Sequence, residues 1–288
     1  MIRLNNKKVD ISYFPDGTLL LKEAVTDIFP SDAESGKASS GIADCKNAII
    51  EIKWNYENNE ELLAVYFLTK HIQAAGYHNV ILNMPYIPNA RQDRVKCPED
   101  VFTLKYFAEF INSLNFTEVR VLDAHSSVSL ALIDRVRQDT PQKYIEKVID
   151  EIVQETGRKP LMFYPDEGAV KRYSGMAALP YCFGIKNRDW STGEIKSLSV
   201  AGETELIAGS DVLIVDDICS YGGTFIHSAE ALAALGAADI YLFVSHCEDN
   251  ALKGKLCACS LIKKIYMTDS IFKDRENTRI KVLPLEER

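Results

Sequence analysis

Short runs of β-branched and aromatic residues alternate along the chain with longer segments in which apolar positions recur at helical spacing. In the first half, strands are predicted over 48–52, 80–84 and 119–123, and helices over 59–75 and 101–114. Alternation of this kind is typical of βα units arranged around a parallel sheet. The pattern therefore predicts an α/β fold in which helices cover a mostly parallel sheet.

The same alternation returns in the second half of the chain. Strands are predicted over 161–164, 211–215, 239–245 and 262–267, and helices over 169–176 and 224–235. A charged helical stretch between about Arg135 and Lys159 separates the two halves. We therefore expect two similar α/β domains, residues 1–140 and 141–288, each with a mostly parallel sheet flanked by helices.

Composition narrows the class of protein. The 288 residues are 47% hydrophobic and 26% charged, which is typical of a globular protein of about two domains. The net charge of -8 argues against general nucleic-acid binding, which needs a basic face. Seven cysteines without CxxC spacing disfavour a disulfide framework and a zinc site, and no segment resembles a signal peptide or a membrane span. We expect a cytoplasmic protein that binds neither nucleic acid nor membrane.

The most specific chemical pattern follows the predicted strand 211–215. Two adjacent acids, Asp216 and Asp217, precede a glycine turn and the start of a helix. We call residues 220–224 the acceptor loop. They are Ser220, Tyr221, Gly222, Gly223 and Thr224. Glycines allow close backbone approach, a helix N-terminus attracts phosphate, and carboxylates accept hydrogen bonds from sugar hydroxyls. The pattern predicts a ribose-phosphate site, with a strand end capped by a solvated acid pair as the alternative.

Other charged residues fall in predicted loops. We call residues 85–94 the arginine loop, because it ends in Arg91, Gln92, Asp93 and Arg94. Guanidinium groups suit contacts with polyphosphate and stacking on adenine, although solvated surface charges are the alternative. His125 and Asp166 each follow a predicted strand. For His125, an ordinary partly buried histidine is the alternative to a binding role.

In chain order, these segments resemble the ribose-phosphate diphosphokinases, or PRPP synthases, which have the phosphoribosyltransferase fold. The matching segments are Phe14-Pro15-Asp16-Gly17, the arginine loop, Leu122-Asp123-Ala124-His125, Tyr164-Pro165-Asp166-Glu167-Gly168 and Val212 to Thr224. Phosphoribosyltransferases in general lack the arginine loop. The resemblance implies transfer of the β,γ-pyrophosphoryl group of Mg·ATP to the anomeric hydroxyl of ribose 5-phosphate, with release of AMP.

The resemblance also implies a role for each segment. Its ATP-binding residues are Asp16, Gly17, Arg91, Gln92, Asp93 and Arg94. His125 and Asp166 help to bind the Mg²⁺ carried by ATP, and Asp166 suits direct ligation better because Mg²⁺ prefers oxygen. Lys186 and Arg188 neutralise the transferring group. They lie in a glycine-bounded segment predicted to be a mobile loop over 184–194, with a surface hairpin as the alternative. The family also implies a homo-oligomer, either a dimer or a hexamer.

The acceptor loop departs from the family pattern. Ser220-Tyr221 stands where the family usually has Asp-Thr, which indicates a divergent member and suggests a larger acceptor, such as ADP-ribose, with Tyr221 facing its extension. A phosphoribosyltransferase that binds PRPP at the same acids is a second class, and the arginine loop argues against it. A non-catalytic regulatory paralogue is a third, and the presence of Lys186 and Arg188 argues against that.

Overall fold

Two sheets organise the chain, one in each of two units, Met1–Asp139 and Thr140–Arg288. The computed structural model describes residues 1–23, 48–188, 195–272 and 279–285. Within these ranges, no helix combines the length and the apolar character that crossing a membrane requires. The predicted fold class is confirmed, because each sheet is mostly parallel and is flanked by helices.

The first unit contains a six-stranded sheet and a separate hairpin. Its elements are β1 (Ile2–Leu4), β2 (Lys7–Lys8), β3 (Ile11–Tyr13), β4 (Leu19–Leu21), β5 (Ile50–Trp54), α1 (Glu60–Ala74), β6 (Val80–Asn83), α2 (Thr103–Asn112), β7 (Glu118–Leu122), α3 (Ser127–Leu132) and β8 (Val136–Asp139). The sheet order is β2-β1-β5-β6-β7-β8, with β5 to β8 parallel. Strands β5 to β7 contribute buried apolar residues to the core, although β5 and β7 also contain charged residues such as Glu51 and Arg120.

The second unit contains a seven-stranded sheet. Its elements are α4 (Gln142–Thr156), β9 (Leu161–Tyr164), α5 (Glu167–Tyr173), β10 (Tyr181–Arg188), β11 (Ile195–Gly202), a 3₁₀ turn (Thr204–Leu206), β12 (Val212–Cys219), α6 (Gly223–Ala234), β13 (Ile240–Cys247), α7 (Asn250–Lys253), β14 (Ile262–Thr268) and β15 (Ile280–Leu283). The order is β11-β10-β9-β12-β13-β14-β15, and only the β10–β11 pair among these strands is antiparallel. The carboxyl ends of β9, β12 and β13 therefore meet at one edge of the sheet, where ligands of such sheets bind.

Two boundaries in this unit correct the prediction from the sequence. Strand β12 was predicted to end at residue 215, but its pairing with β13 continues to Cys219 opposite Cys247. The acid pair therefore lies within the strand. The segment 184–194 was predicted to be a loop, but Gly184 to Arg188 belong to β10 and pair with β11. The polar sequence concealed this hairpin, since an outer antiparallel pair needs no continuous apolar run. Residues 189–194 lie outside the described ranges.

Candidate active site

The two acids of β12 differ in their surroundings. Asp217 is buried, and its Oδ2 accepts a hydrogen bond from Nη1 of Arg172 at 2.5 Å. Asp216 is half-buried, and its Oδ1 accepts the backbone N–H of Asp217 at 3.0 Å. Consecutive residues of a strand point to opposite faces. The half-buried Asp216 is therefore the acid that a ligand reaches more easily, whereas Asp217 is held by a cation.

Arg172 is a functional candidate that reasoning from the sequence missed. It lies in the last turn of α5, and its guanidinium carbon is 5.6 Å from the ring centroid of Tyr173. It is separated from Asp217 by 45 residues in the chain. The available signal was its position shortly after the Tyr164–Gly168 segment, but the identity of its partner depends on the packing of α5 against β12.

The acceptor loop has the backbone geometry of an anion site. Gly222 has a φ of +81°, in the left-handed region that favours glycine, and a Cβ there would lie 2.7 Å from the Cβ of Leu256. It precedes α6, whose first N–H groups lack acceptors within the helix. No lysine or arginine occurs between Asp216 and Thr224. A phosphate bound here therefore relies on amide groups, the helix dipole and the Thr224 hydroxyl.

The two residues that depart from the family pattern are arranged differently. Ser220 donates its hydroxyl proton to Oε2 of Glu248, with an oxygen-to-oxygen distance of 2.7 Å. Tyr221 is 62% exposed, so most of its ring faces solvent. Its backbone is closely packed, because a Cβ on Gly254 would lie 2.4 Å from its carbonyl oxygen. The loop backbone is thus confined while the Tyr221 ring remains accessible.

Asp166 lies just after β9, the strand next to β12. Its Oδ1 accepts the backbone N–H of Ala169 at 3.0 Å, so this carboxylate caps α5. Lys186 and Arg188 lie on β10, where their backbones pair with Leu198 and Ile195. The second unit thus contains the acid pair, the acceptor loop, Asp166 and the two predicted catalytic cations on neighbouring strands.

In the first unit, the structure brings together the arginine loop and the His125 segment. Both oxygens of Asp93 accept hydrogen bonds from Arg94, at 2.8 and 3.1 Å, and Oδ2 also accepts the Ser126 hydroxyl at 2.7 Å. The bonds from Arg94, together with that from Ser126, lower the pKa of Asp93 to about 2. His125 is exposed beside Ser126, and Arg91 is exposed in the arginine loop. Asp93 therefore acts as a tether between two segments that the sequence predicted separately.

The remaining predicted ATP-binding residues have clear local roles. Gln92 accepts the hydroxyl of Thr103 at 2.8 Å and so holds the start of α2. Asp16 and Gly17 form the exposed turn between β3 and β4, where Asp16 Oδ1 accepts the N–H and the hydroxyl of Thr18 at 3.0 and 2.7 Å. These hydrogen bonds from Thr18 lower the pKa of Asp16. The positive φ of Gly17, +83°, suits such a turn. Contact of these residues with a nucleotide stays a prediction.

Comparison with known proteins shows which enzymes the chain resembles. The ribose-phosphate pyrophosphokinase of Bradyrhizobium diazoefficiens is 28% identical over 233 residues, which are 78% of this chain and 70% of that protein. The enzyme of the same name from Saccharolobus solfataricus is 26% identical over 223 residues, 76% of this chain and 74% of that one. Over about three quarters of its length, the chain is similar to enzymes named ribose-phosphate pyrophosphokinase. The resemblance inferred from the ordered motifs is thereby confirmed.

Two further comparisons concern the fold of the chain. A model described as a phosphoribosyl transferase domain matches residues 176–258, which include the acid pair and the acceptor loop. The crystal structure of phosphoribosylpyrophosphate synthetase from Mycobacterium smegmatis superposes with a TM-score of 0.73 and covers 96% of this chain and 86% of that one. At 18% identity, this likeness establishes the fold alone.

Proposed function

We propose that this protein transfers the β,γ-pyrophosphoryl group of Mg·ATP to the anomeric hydroxyl of ribose 5-phosphate. The anomeric oxygen forms a bond to the β-phosphorus, the bond from that phosphorus to the α–β bridging oxygen breaks, and AMP leaves. The observation that carries the proposal is the relation to ribose-phosphate pyrophosphokinases over about three quarters of the chain. The acid pair and the acceptor loop supply groups that suit this acceptor.

The second unit provides the acceptor chemistry in this proposal. Asp216 accepts hydrogen bonds from ribose hydroxyls, and Arg172 orients Asp217 through its hydrogen bond. The amides that begin α6 hold the 5-phosphate. Lys186 and Arg188 neutralise charge on the transferring group, which is the main requirement of phosphoryl transfer.

The first unit provides the nucleotide chemistry. Arg91 and Arg94 pair with polyphosphate oxygens, and the Asp93 tether orients Arg94. The described residues contain no group of three or more His, Cys, Asp or Glu side chains arranged to hold a metal ion. Mg²⁺ that arrives with ATP needs only one or two protein ligands. In the first unit His125 would supply one, and the Asp166 carboxylate is the oxygen ligand that the second unit offers. Bound Mg²⁺ would neutralise phosphate charge. Asp16 and Gly17 contact the adenine.

A second candidate acceptor is ADP-ribose, favoured by one observation. The exposed ring of Tyr221 lies beside the expected 5-phosphate position, where it offers an aromatic face to a group attached to that phosphate. Ribose 5-phosphate and ADP-ribose present the same anomeric hydroxyl, so the reaction is unchanged. The phosphoribosyltransferase and regulatory alternatives predict no AMP with either acceptor.

The deciding experiment is AMP release from Mg·ATP by purified protein, with ribose 5-phosphate and ADP-ribose in separate reactions and the product identified by mass. We expect a product heavier than its acceptor by one pyrophosphoryl group. Asp216→Asn should raise the KM for the acceptor at least about tenfold, and Lys186→Ala should lower kcat about 10²-fold or more. Glu230→Ala, which removes an exposed carboxylate from α6, is the matched control.

Each outcome has a definite meaning. AMP with ribose 5-phosphate supports PRPP synthesis, and AMP only with ADP-ribose assigns the larger acceptor. No AMP with either acceptor contradicts the proposal. The same preparation, examined by light scattering, tests the expected dimer or hexamer.

A further inference from the structure

Glu248 lies at the carboxyl end of β13 and contacts both the last residue of β12 and the first residue of the acceptor loop. Its backbone N–H donates to the carbonyl of Cys219 at 2.8 Å, and its side chain accepts the Ser220 hydroxyl at 2.7 Å. These contacts continue the pairing of β12 with β13, which runs through Cys219 and Cys247. The loop therefore leaves the sheet attached to the next strand by one main-chain and one side-chain hydrogen bond.

The hydrogen bond also determines what Ser220 is able to do. A serine hydroxyl has one proton, and here the proton points to the Glu248 carboxylate. Ser220 is thus a donor to Glu248 rather than to a bound phosphate. A carboxylate that follows the neighbouring strand β13 therefore contacts the first residue of the acceptor loop.

The segment that follows Glu248 supports the loop from the same side. The carbonyl of Glu248 accepts the N–H of Ala251 at 2.9 Å, which starts the turn into α7. Beyond this short helix, Gly254 lies against the carbonyl of Tyr221, and Leu256 lies against Gly222. Glu248, Gly254 and Leu256 therefore all contact the acceptor loop. Of these three residues, Glu248 carries a charge.

We infer that Glu248 is a positioning residue for the acceptor: its carboxylate holds Ser220, and thereby the loop amides, in the geometry that binds the acceptor phosphate. This inference rests on the proposed function only for the identity of the acceptor. A charge-assisted hydrogen bond is weakened when its acceptor becomes neutral and is lost with alanine. Removing the carboxylate should consequently weaken acceptor binding without weakening ATP binding.

The test compares Glu248→Ala, Glu248→Gln and Ser220→Ala, with Glu230→Ala as the control. Two quantities are measured: the Kd for ribose 5-phosphate and for ADP-ribose by calorimetry, and the KM for acceptor and ATP by AMP release. Glu248→Ala and Ser220→Ala should each raise the acceptor values about tenfold, and their combination should add little. Glu248→Gln, whose amide oxygen still accepts the hydroxyl, should raise them less than about threefold. The KM for ATP should stay unchanged.

A carboxylate relocation distinguishes positioning from general structural support. Ser220→Asp alone places two carboxylates side by side and should weaken acceptor binding about tenfold or more. Adding Glu248→Ser leaves one carboxylate, now at position 220, and should restore binding to within about threefold. Failure of this rescue, or equal changes in the KM for ATP and acceptor, overturns the inference.

The failures of the two proposals are distinguishable. Acceptor binding by the wild-type protein without AMP release contradicts the proposed function but leaves the Glu248 inference measurable by calorimetry. Normal AMP release by Glu248→Ala with an unchanged acceptor KM overturns the inference alone. A wild-type protein that binds neither acceptor overturns both.

Discussion

Replacing Gly254 by alanine tests whether the acceptor loop is confined by its neighbour. Gly254 has a φ of -82° and a ψ of 179°, which is extended backbone that alanine adopts freely. At a site without contacts, such a replacement stabilises by about 0.4–1 kcal/mol through the unfolded state. Here the added Cβ would lie 2.4 Å from the Tyr221 carbonyl oxygen. This contact therefore decides whether the replacement stabilises or destabilises the protein.

The size of the effect follows from the distance. A Cβ atom essentially never lies within 3.0 Å of such an atom, so the loop must move by at least about 0.6 Å. Overpacking of this kind costs about 1–3 kcal/mol, and each kcal/mol lowers the Tm of a domain of this size by roughly 2–4 °C. Because misplacement by about 1 Å costs roughly 10²-fold in a site, we expect about a tenfold rise in the acceptor KM.

The assay combines thermal unfolding with AMP release. Gly175→Ala is the matched control, because no atom lies within 4 Å of a Cβ built there and its φ is not positive. The control should gain about 0.4–1 kcal/mol, which raises its Tm by roughly 1–4 °C, and it should keep its kinetics. If Gly254→Ala were as stable as the wild-type protein and had an unchanged acceptor KM, confinement of the loop by Gly254 would be refuted.

Two further predictions concern charged groups. Arg172→Ala removes the guanidinium from buried Asp217 and should lower the free energy of unfolding by about 1.5–3 kcal/mol. Arg172→Lys should lower it less. Equal stability of the wild-type protein and both variants in urea would contradict this. The folded-state pKa of Asp93, about 2, lies below its ordinary value of 3.8. The ionised carboxylate therefore stabilises the fold above about pH 4, and this contribution disappears as the pH falls towards 2. The stability difference between the wild-type protein and Asp93→Asn should therefore shrink between pH 5 and pH 2, and a constant difference would exclude that role.

The sequence predicted individual elements well where local pattern dominates. Strand 161–164 was predicted with its observed bounds, and helix α6 was displaced by one residue. Strand β12 was predicted too short, because Asp216 and Asp217 interrupt its apolar run and the strand continues past them through pairing with β13. The polar, glycine-containing segment 184–194 was predicted to be a mobile loop with a surface hairpin as the alternative, and Gly184 to Arg188 belong to the β10–β11 hairpin.

Contacts within the candidate site were less predictable. The hydrogen bonds of Asp217 with Arg172, Asp93 with Ser126, and Ser220 with Glu248 join residues that are 45, 33 and 28 positions apart. A residue type indicates what a side chain is able to bind, whereas its partner depends on which strands are neighbours. No local pattern contains that information.

The sequence by itself determined the α/β alternation, the ordered motifs and the family, because strand and helix periodicity and short motifs are local properties of a chain. The tertiary structure alone decided which acid of the pair is held by a cation and which residue anchors the acceptor loop. Both depend on sheet order and register: α5 packs where Arg172 reaches β12, and β13 lies beside β12 with Glu248 opposite Ser220. Packing distances then determine where only glycine fits, as at Gly222 and Gly254.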